Sequence, residues 1–225
     1  MSEKSKLPIV EIFSSLEGEG LYIGTPTIFV RVAGCNVGCK HCDSKKTWST
    51  KNFKYLDLDV IITTVKELIE KSGTRRVSIT GGEPLLYKDE IVELAKGLGP
   101  KVMTNLETSG TIIFPYNYFY NFTMTSIDIK TPSSGVILSE ENLELLKKAV
   151  QHSGIYVKAI IMDDSDLDFV IKHFNTTNFS NTVSFTPCEV NGEITMPAQR
   201  ILERAKEIKF KWRYLAQQHK LVHYE

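Results

Sequence analysis

The chain has 225 residues, 42% hydrophobic and 24% charged, with 27 Lys and Arg against 27 Asp and Glu. Length and composition fit one domain, residues 1–225, with a sizeable core, and the zero formal charge lacks the basic surplus that a grip on nucleic acid needs. No apolar run approaches the ~18–20 residues of a membrane span, and Glu11 interrupts the apolar centre a signal peptide would need, so the cytoplasm is the expected compartment.

Strand-like runs are expected at Pro8–Phe13 and Thr27–Val32, then a helix over Asp59–Ser72 with Val60, Ile61, Val65, Leu68 and Ile69 as its apolar stripe. A strand at Arg76–Thr80, a helix at Lys88–Leu98, and strands at Val102–Glu107 and Met124–Ile129 follow. Ser139 reads as the N-cap of a helix carrying Leu143, Leu146 and Val150. The remainder reads as strand Ile155–Met162, helix Ser165–Phe174, strand Thr182–Thr186, helix Ala198–Lys209 and a last strand near Trp212–Gln217. This alternation implies parallel strands joined by crossover helices, an α/β architecture. A closed eight-unit barrel usually needs about 250 residues, so a partial barrel of about six units, a (β/α)6-type fold, is expected. Its ligands would sit at the C-terminal strand ends.

Three of the four cysteines, Cys35, Cys39 and Cys42, fall within eight residues directly after a predicted strand. The spacing lets one loop wrap three corners of a compact iron–sulfur cubane and leaves one iron without a protein ligand. A zinc site completed by His41 or Cys188, or three buried thiols, are the alternatives that the residues leave open.

Cys-x3-Cys-x-x-Cys, with His41 in the position that is commonly aromatic, resembles the signature of the radical S-adenosylmethionine enzymes. Gly81-Gly82-Glu83-Pro84 at the end of a predicted strand resembles the GGEP motif of that superfamily. The resemblance narrows with Glu11–Gly20 (EIFSSLEGEG), Gly24-Thr25-Pro26, Phe29-Val30-Arg31, Cys42-Asp43-Ser44 and Gln217-Gln218-His219-Lys220. Together these are similar to the 7-carboxy-7-deazaguanine synthases of queuosine and 7-deazapurine biosynthesis.

That resemblance implies a carbon–nitrogen lyase that turns 6-carboxy-5,6,7,8-tetrahydropterin into 7-carboxy-7-deazaguanine with release of ammonia. It implies a 4Fe-4S cluster on Cys35, Cys39 and Cys42, S-adenosyl-L-methionine, and Mg2+ on Ser44. Cosubstrate contacts would come from His41, Asp43, Gly82, Glu83, Ser109, Asp128, Ile129 and Lys130. Substrate contacts would come from Leu16, Glu17, Gly18, Glu19, Arg31, Thr80 and His219. Many members carry Gln at the position of Glu17, a difference that a backbone contact from there would survive. An electron donor such as flavodoxin or ferredoxin and a homodimer are implied as well; no nucleic acid or membrane is expected as partner. The alternative reading is an enzyme that activates glycyl-radical enzymes.

Asp164, Asp166 and Asp168 alternate like calcium ligands, but Phe169 and Asn175 stand where Gly and Glu are needed, so a helix N-terminus is expected instead. Tyr116–Phe122 reads as a core-facing aromatic cluster, and the basic pairs Arg75-Arg76 and Lys147-Lys148 as solvated faces.

Overall fold

The computed structural model describes residues 5–48, 53–112, 115–190 and 193–221. It opens with β1 (Lys6–Leu16) and β2 (Pro26–Val32), then β3 (Lys54–Asp57) and α1 (Leu58–Ser72). The units that follow are β4 (Arg76–Gly81) with α2 (Lys88–Leu98), β5 (Met103–Thr108), β6 (Met124–Ile129) with α3 (Glu140–Ala149), and β7 (Ile155–Ile161) with α4 (Asp164–Phe174). The chain continues through β8 (Val183–Pro187), β9 (Glu189–Val190), β10 (Glu193–Ile194), α5 (Ala198–Glu203), β11 (Trp212–Tyr214) and α6 (Gln218–Leu221).

Seven strands run parallel in the order β2, β4, β5, β6, β7, β8, β11, a partial barrel of six units as expected. Three details differ from the sequence expectation. The first strand is antiparallel to β2, and the unforeseen β3 pairs antiparallel on its far side. Between β5 and β6 the crossover is a 3-10 helix over Tyr116–Asn121, in which Tyr118 packs edge-on against the buried Phe119. The helix expected to reach Lys209 stops at Glu203, and the last strand ends at Tyr214. Between β8 and α5, residues 191 and 192 lie outside the described residues, and the described part includes the β9–β10 pair.

Local chemistry accounts for the helix ends. Gly73 closes α1 in the left-handed region (φ 74°), its N–H donating to the Ile69 carbonyl. The Ser139 hydroxyl accepts from the Asn142 N–H at the start of α3. Asp163 caps α4 by accepting from the N–H groups of Ser165 and Asp166. Asp166 is itself buried and accepts from the N–H groups of Ser133 (2.9 Å) and Met162 (2.8 Å). The acidic run thus stands at the start of α4, as expected, with Asp166 also anchoring two loops and Asp164 and Asp168 paired with Arg200 and Arg204.

Strand alternation places the core and the site on opposite faces. Val77 and Ile79 in β4, Leu106 in β5, Ile127 in β6, and Val157 and Ala159 in β7 are fully or almost fully buried within the core cluster. The alternate residues line a cavity or feed one: Thr80, Glu107, Ser126, Asp128, Tyr156 and Lys158. The barrel interior is thus polar and hollow, so the site extends below the strand ends where it was expected.

Candidate active site

The cavity measures about 440 Å3. The cysteine loop follows β2, and all three of its thiols are partly buried, unpaired with one another, and on the cavity wall. Burial pushes the Cys39 and Cys42 thiols above their ordinary values. A bound metal would reverse that by taking the thiolate form. Cys188 is buried elsewhere, against the Glu189 carbonyl and off the cavity wall, so it does not join the three.

A cradle lies beside this loop. Gly82 donates its N–H to the Val32 carbonyl (3.0 Å), and the next N–H, that of Glu83, donates to the Gly34 carbonyl (2.8 Å). A Cβ on Gly82 would overlap the Gly34 carbonyl, so only glycine fits. Glu83 is fully buried, off the cavity wall, and accepts from the Leu85 N–H (3.0 Å), the Thr108 hydroxyl (2.8 Å), and both the N–H (2.8 Å) and hydroxyl (2.5 Å) of Ser109. With four donors around it, this carboxylate clamps β4 to the end of β5.

The other residues predicted for the cosubstrate all border the cavity: His41, Asp43, Gly82, Ser109, Asp128, Ile129 and Lys130. Lys130 pairs with Asp128 at 2.8 Å. Desolvation lowers the Lys130 ammonium, but the charges of Asp128 and Cys39 outweigh it, and the group stays above its usual range. Asp43 is turned towards His219 (3.6 Å) and accepts from the Ser44 hydroxyl (3.1 Å). Desolvation pushes its carboxyl up, yet the His219 hydrogen bond and the charges of Lys158 and Lys220 hold it well below the usual range. Donor atoms of Glu19, Asp43 and His219 lie within 4.8 Å of one another.

Leu16, Glu17, Gly18, Glu19, Arg31, Thr80 and His219, predicted for the substrate, also border the cavity. Arg31 lies over the Phe13 ring (5.0 Å) and donates to Glu11 (2.5 Å), to which Lys46 is also paired (2.9 Å). The Glu17 backbone is tied into its own loop. Its N–H donates to the Thr25 carbonyl (2.8 Å) and its carbonyl accepts from the Gly24 N–H (2.7 Å).

Sequence reasoning missed several polar residues of the interior. Lys158 pairs with Glu19, which also accepts from Gln217. Desolvation disfavours the Lys158 ammonium, but the charges of Glu19, Asp128 and Glu107 raise it well above normal, so it remains a cation. The Glu107 carboxyl accepts from the hydroxyls of Ser78 (2.5 Å) and Thr80 (3.1 Å) and from the Asn105 amide (3.5 Å). A signal for Lys158 was present: in Ile155–Ile161 (IYVKAII) a cation shares the alternate face with Tyr156, in a strand too apolar to face solvent.

A family model described as the Radical SAM superfamily matches residues 29–163. The 7-carboxy-7-deazaguanine synthase of Thermoplasma acidophilum is 34% identical over 219 residues, covering 96% of each chain. The enzyme of that name from Methanospirillum hungatei JF-1 is 38% identical over 172 residues, 76% of this chain and 68% of the relative. Among solved structures, QueE from Escherichia coli matches with a TM-score of 0.61 at 23% identity, over 93% of this chain and 94% of that one, a likeness of fold.

Proposed function

The chain belongs to the Radical SAM superfamily and, within it, to the 7-carboxy-7-deazaguanine synthases, and from that membership we propose how its own residues carry the reaction. It is a lyase of the queuosine pathway that converts 6-carboxy-5,6,7,8-tetrahydropterin to 7-carboxy-7-deazaguanine with release of ammonia. The supporting observation is that three cysteines on one loop and a ring of polar strand residues share one cavity of about 440 Å3. That suits a small molecule beside a cluster better than a protein loop, so an activating enzyme for glycyl-radical proteins is not favoured.

The family implies a 4Fe-4S cluster and S-adenosylmethionine, and the donor set fits them: three thiols on one loop beside a glycine cradle that a Cβ would fill. Bound there, the pair would supply hydrogen-abstracting chemistry through reductive cleavage of the sulfonium. Cys35, Cys39 and Cys42 would hold the cluster. Backbone groups at Gly81 and Gly82, with Glu83, would receive the methionyl ammonium, and Ser109, Asp128, Ile129, Lys130, His41 and Asp43 would surround the rest of the cosubstrate.

Mg2+ on Ser44 is part of the same proposal. The Ser44 hydroxyl with the Asp43 and Glu19 carboxyls beside it offers the hard oxygen donors that such an ion prefers. Arg31 presents a planar cation to the substrate carboxylate, and Thr80, Leu16, Gly18 and His219 enclose the ring. Lys158 keeps its positive charge fixed inside the barrel through Glu19, ready for anionic atoms of the substrate. A single domain, a homodimer, a cytoplasmic setting and a flavodoxin- or ferredoxin-type reductant complete the proposal. Among the described residues no helix is long and apolar enough to cross a membrane.

The test is anaerobic reconstitution with iron and sulfide, then incubation with the carboxypterin, S-adenosylmethionine, Mg2+ and a reductant. Formation of 7-carboxy-7-deazaguanine, stimulated by Mg2+, is the expected result. Absence of that product and of 5′-deoxyadenosine from a fully reconstituted sample overturns the reading.

A further inference from the structure

Between Cys35 and Cys39 the cysteine loop makes an arc of three residues, Asn36, Val37 and Gly38. Its start is pinned at Gly34, whose N–H donates to the Thr47 carbonyl (2.8 Å) and whose carbonyl accepts from the Glu83 N–H. Beyond Cys39 the Lys40 N–H donates to the Ser134 carbonyl (2.9 Å). The arc itself is bare: the Val37 N–H turns back to the Cys35 sulfur (3.4 Å), and a Cβ on Gly38 would meet nothing within 4 Å. Among the described residues one hydrogen bond ties the arc to another part of the chain. It runs from the Asn36 amide to the Thr111 hydroxyl (3.2 Å), 75 residues away in sequence.

Thr111 is not an isolated anchor. Its hydroxyl lies 2.9 Å from that of Ser109, and the Ser109 hydroxyl donates to Glu83 (2.5 Å). A hydroxyl has a single proton to give, so Thr111 donates to Ser109 and accepts from Asn36. The bonds therefore run one way, from Asn36 to Thr111 to Ser109, and end on the buried Glu83 carboxylate. Hydrogen bonds arranged head to tail polarise one another, and each strengthens the next. The turn that carries them is stiff. Gly110 has φ 66°, and a Cβ there would strike Leu146 and Ile127. From its other side the Thr111 carbonyl accepts from the Asn142 amide (2.9 Å) in the first turn of α3.

We propose that Asn36 and Thr111 are positioning residues, a strap that fixes the Cys35–Cys39 arc against the Gly82–Glu83 cradle. The inference rests on the cluster and cosubstrate reading above. Two of the three ligand cysteines bound the arc, and the cradle faces the cosubstrate, so a ligand that bridges cluster and cradle needs both at one set separation. Hydrogen bonds behind metal ligands set the orientation of those ligands. Without the strap the cysteines remain and the cluster still forms. What loosens is the hold on S-adenosylmethionine.

The experiment reconstitutes the native protein, Asn36→Ala, Thr111→Val and Thr111→Ser with iron and sulfide. Each is titrated with S-adenosylmethionine while the electron paramagnetic resonance signal of the reduced cluster is followed, a readout independent of turnover. Iron content and the pterin KM at saturating S-adenosylmethionine are measured alongside. N36A and T111V are expected to hold native iron yet need about three- to tenfold more S-adenosylmethionine for half the spectral change, the worth of one hydrogen bond. T111S, which restores the hydroxyl, should stay within about twofold of native, and the pterin KM should not move in any variant. Asn36 is exposed, so N36A tests the strap even if T111V does not fold. A native titration curve in N36A, iron lost from N36A, T111S as weak as N36A, or a pterin KM that rises in step overturns the inference alone. A native protein whose cluster signal does not respond to S-adenosylmethionine overturns the cosubstrate reading and the inference with it.

Discussion

Gly82 and Gly34 meet backbone against backbone where β4 and β2 end, with the Gly34 carbonyl accepting from the Glu83 N–H at 2.8 Å. No side chain fits between them, and the cysteine loop begins at the next residue, Cys35. Gly82→Ala should therefore displace the loop. Overpacking of this kind costs about 1–3 kcal/mol, and the reconstituted variant should bind less iron than the native protein at equal concentration. An iron content equal to native would show that the cysteine loop tolerates the shift.

Replacing Cys35, Cys39 or Cys42 singly by alanine should abolish the cluster absorbance, because three thiolates on one loop leave no spare ligand. Cys188→Ala should retain it, since Cys188 faces the Glu189 carbonyl and not the cavity. Iron and acid-labile sulfide assays on the four variants check both halves.

Glu83→Gln removes the charge that gathers four donors at one buried carboxylate. Hydrogen bonds to a charged acceptor are worth about 1.5–3 kcal/mol, and the amide leaves at least one donor facing another donor. A fall in Tm of about 2–4 °C per kcal/mol is expected for a chain of this size. Thermal melts of the metal-free protein measure it without interference from cofactor binding.

Gly18 lies against the His219 ring, which a Cβ at position 18 would strike. Gly18→Ala should push the imidazole away from Asp43 and raise KM for the pterin about tenfold, the cost of one lost polar contact. In a His219→Ala background the same change should have little further effect, because the obstacle is gone. A double-mutant cycle on KM that came out additive would break this link.

Glu17 also predicts how stability varies with pH. Its folded-state carboxyl is raised to about 8, above its ordinary value, so between the two the folded state binds more protons than the unfolded one. Stability therefore falls as pH rises through that window and levels off above it. Glu17→Gln removes this slope, which for one proton amounts to at most about 1.4 kcal/mol per pH unit. The Tm advantage of the variant should grow from pH 5 to pH 8, as scanning calorimetry at several pH values would record.

The apolar faces of this fold were legible because strand and helix periodicities repeat without conflict, as with Val77 and Ile79 or the stripe Ile61–Val65. The β3 strand was not, since Lys54–Asp57 is only four residues long and at an edge, and its pairing with Lys6–Ile9 makes it a strand. The cysteine loop carried its chemistry in local spacing. The interior ion pairs did not: Glu19 with Lys158, or Asp43 with His219, join positions distant in sequence, and only the barrel closes those distances. Glu83 sits in the motif as expected, but a motif does not say whether a carboxylate turns towards a ligand or back into the wall.

The hold of Gln217 and Gln218 on the Glu19 and Gly18 loop has a consequence in time. Glu19 leaves the ribosome long before Gln217, so the nascent chain can wind its first strands while the cavity still lacks one wall. One wall of the cavity is thus tied in place only by a late arrival.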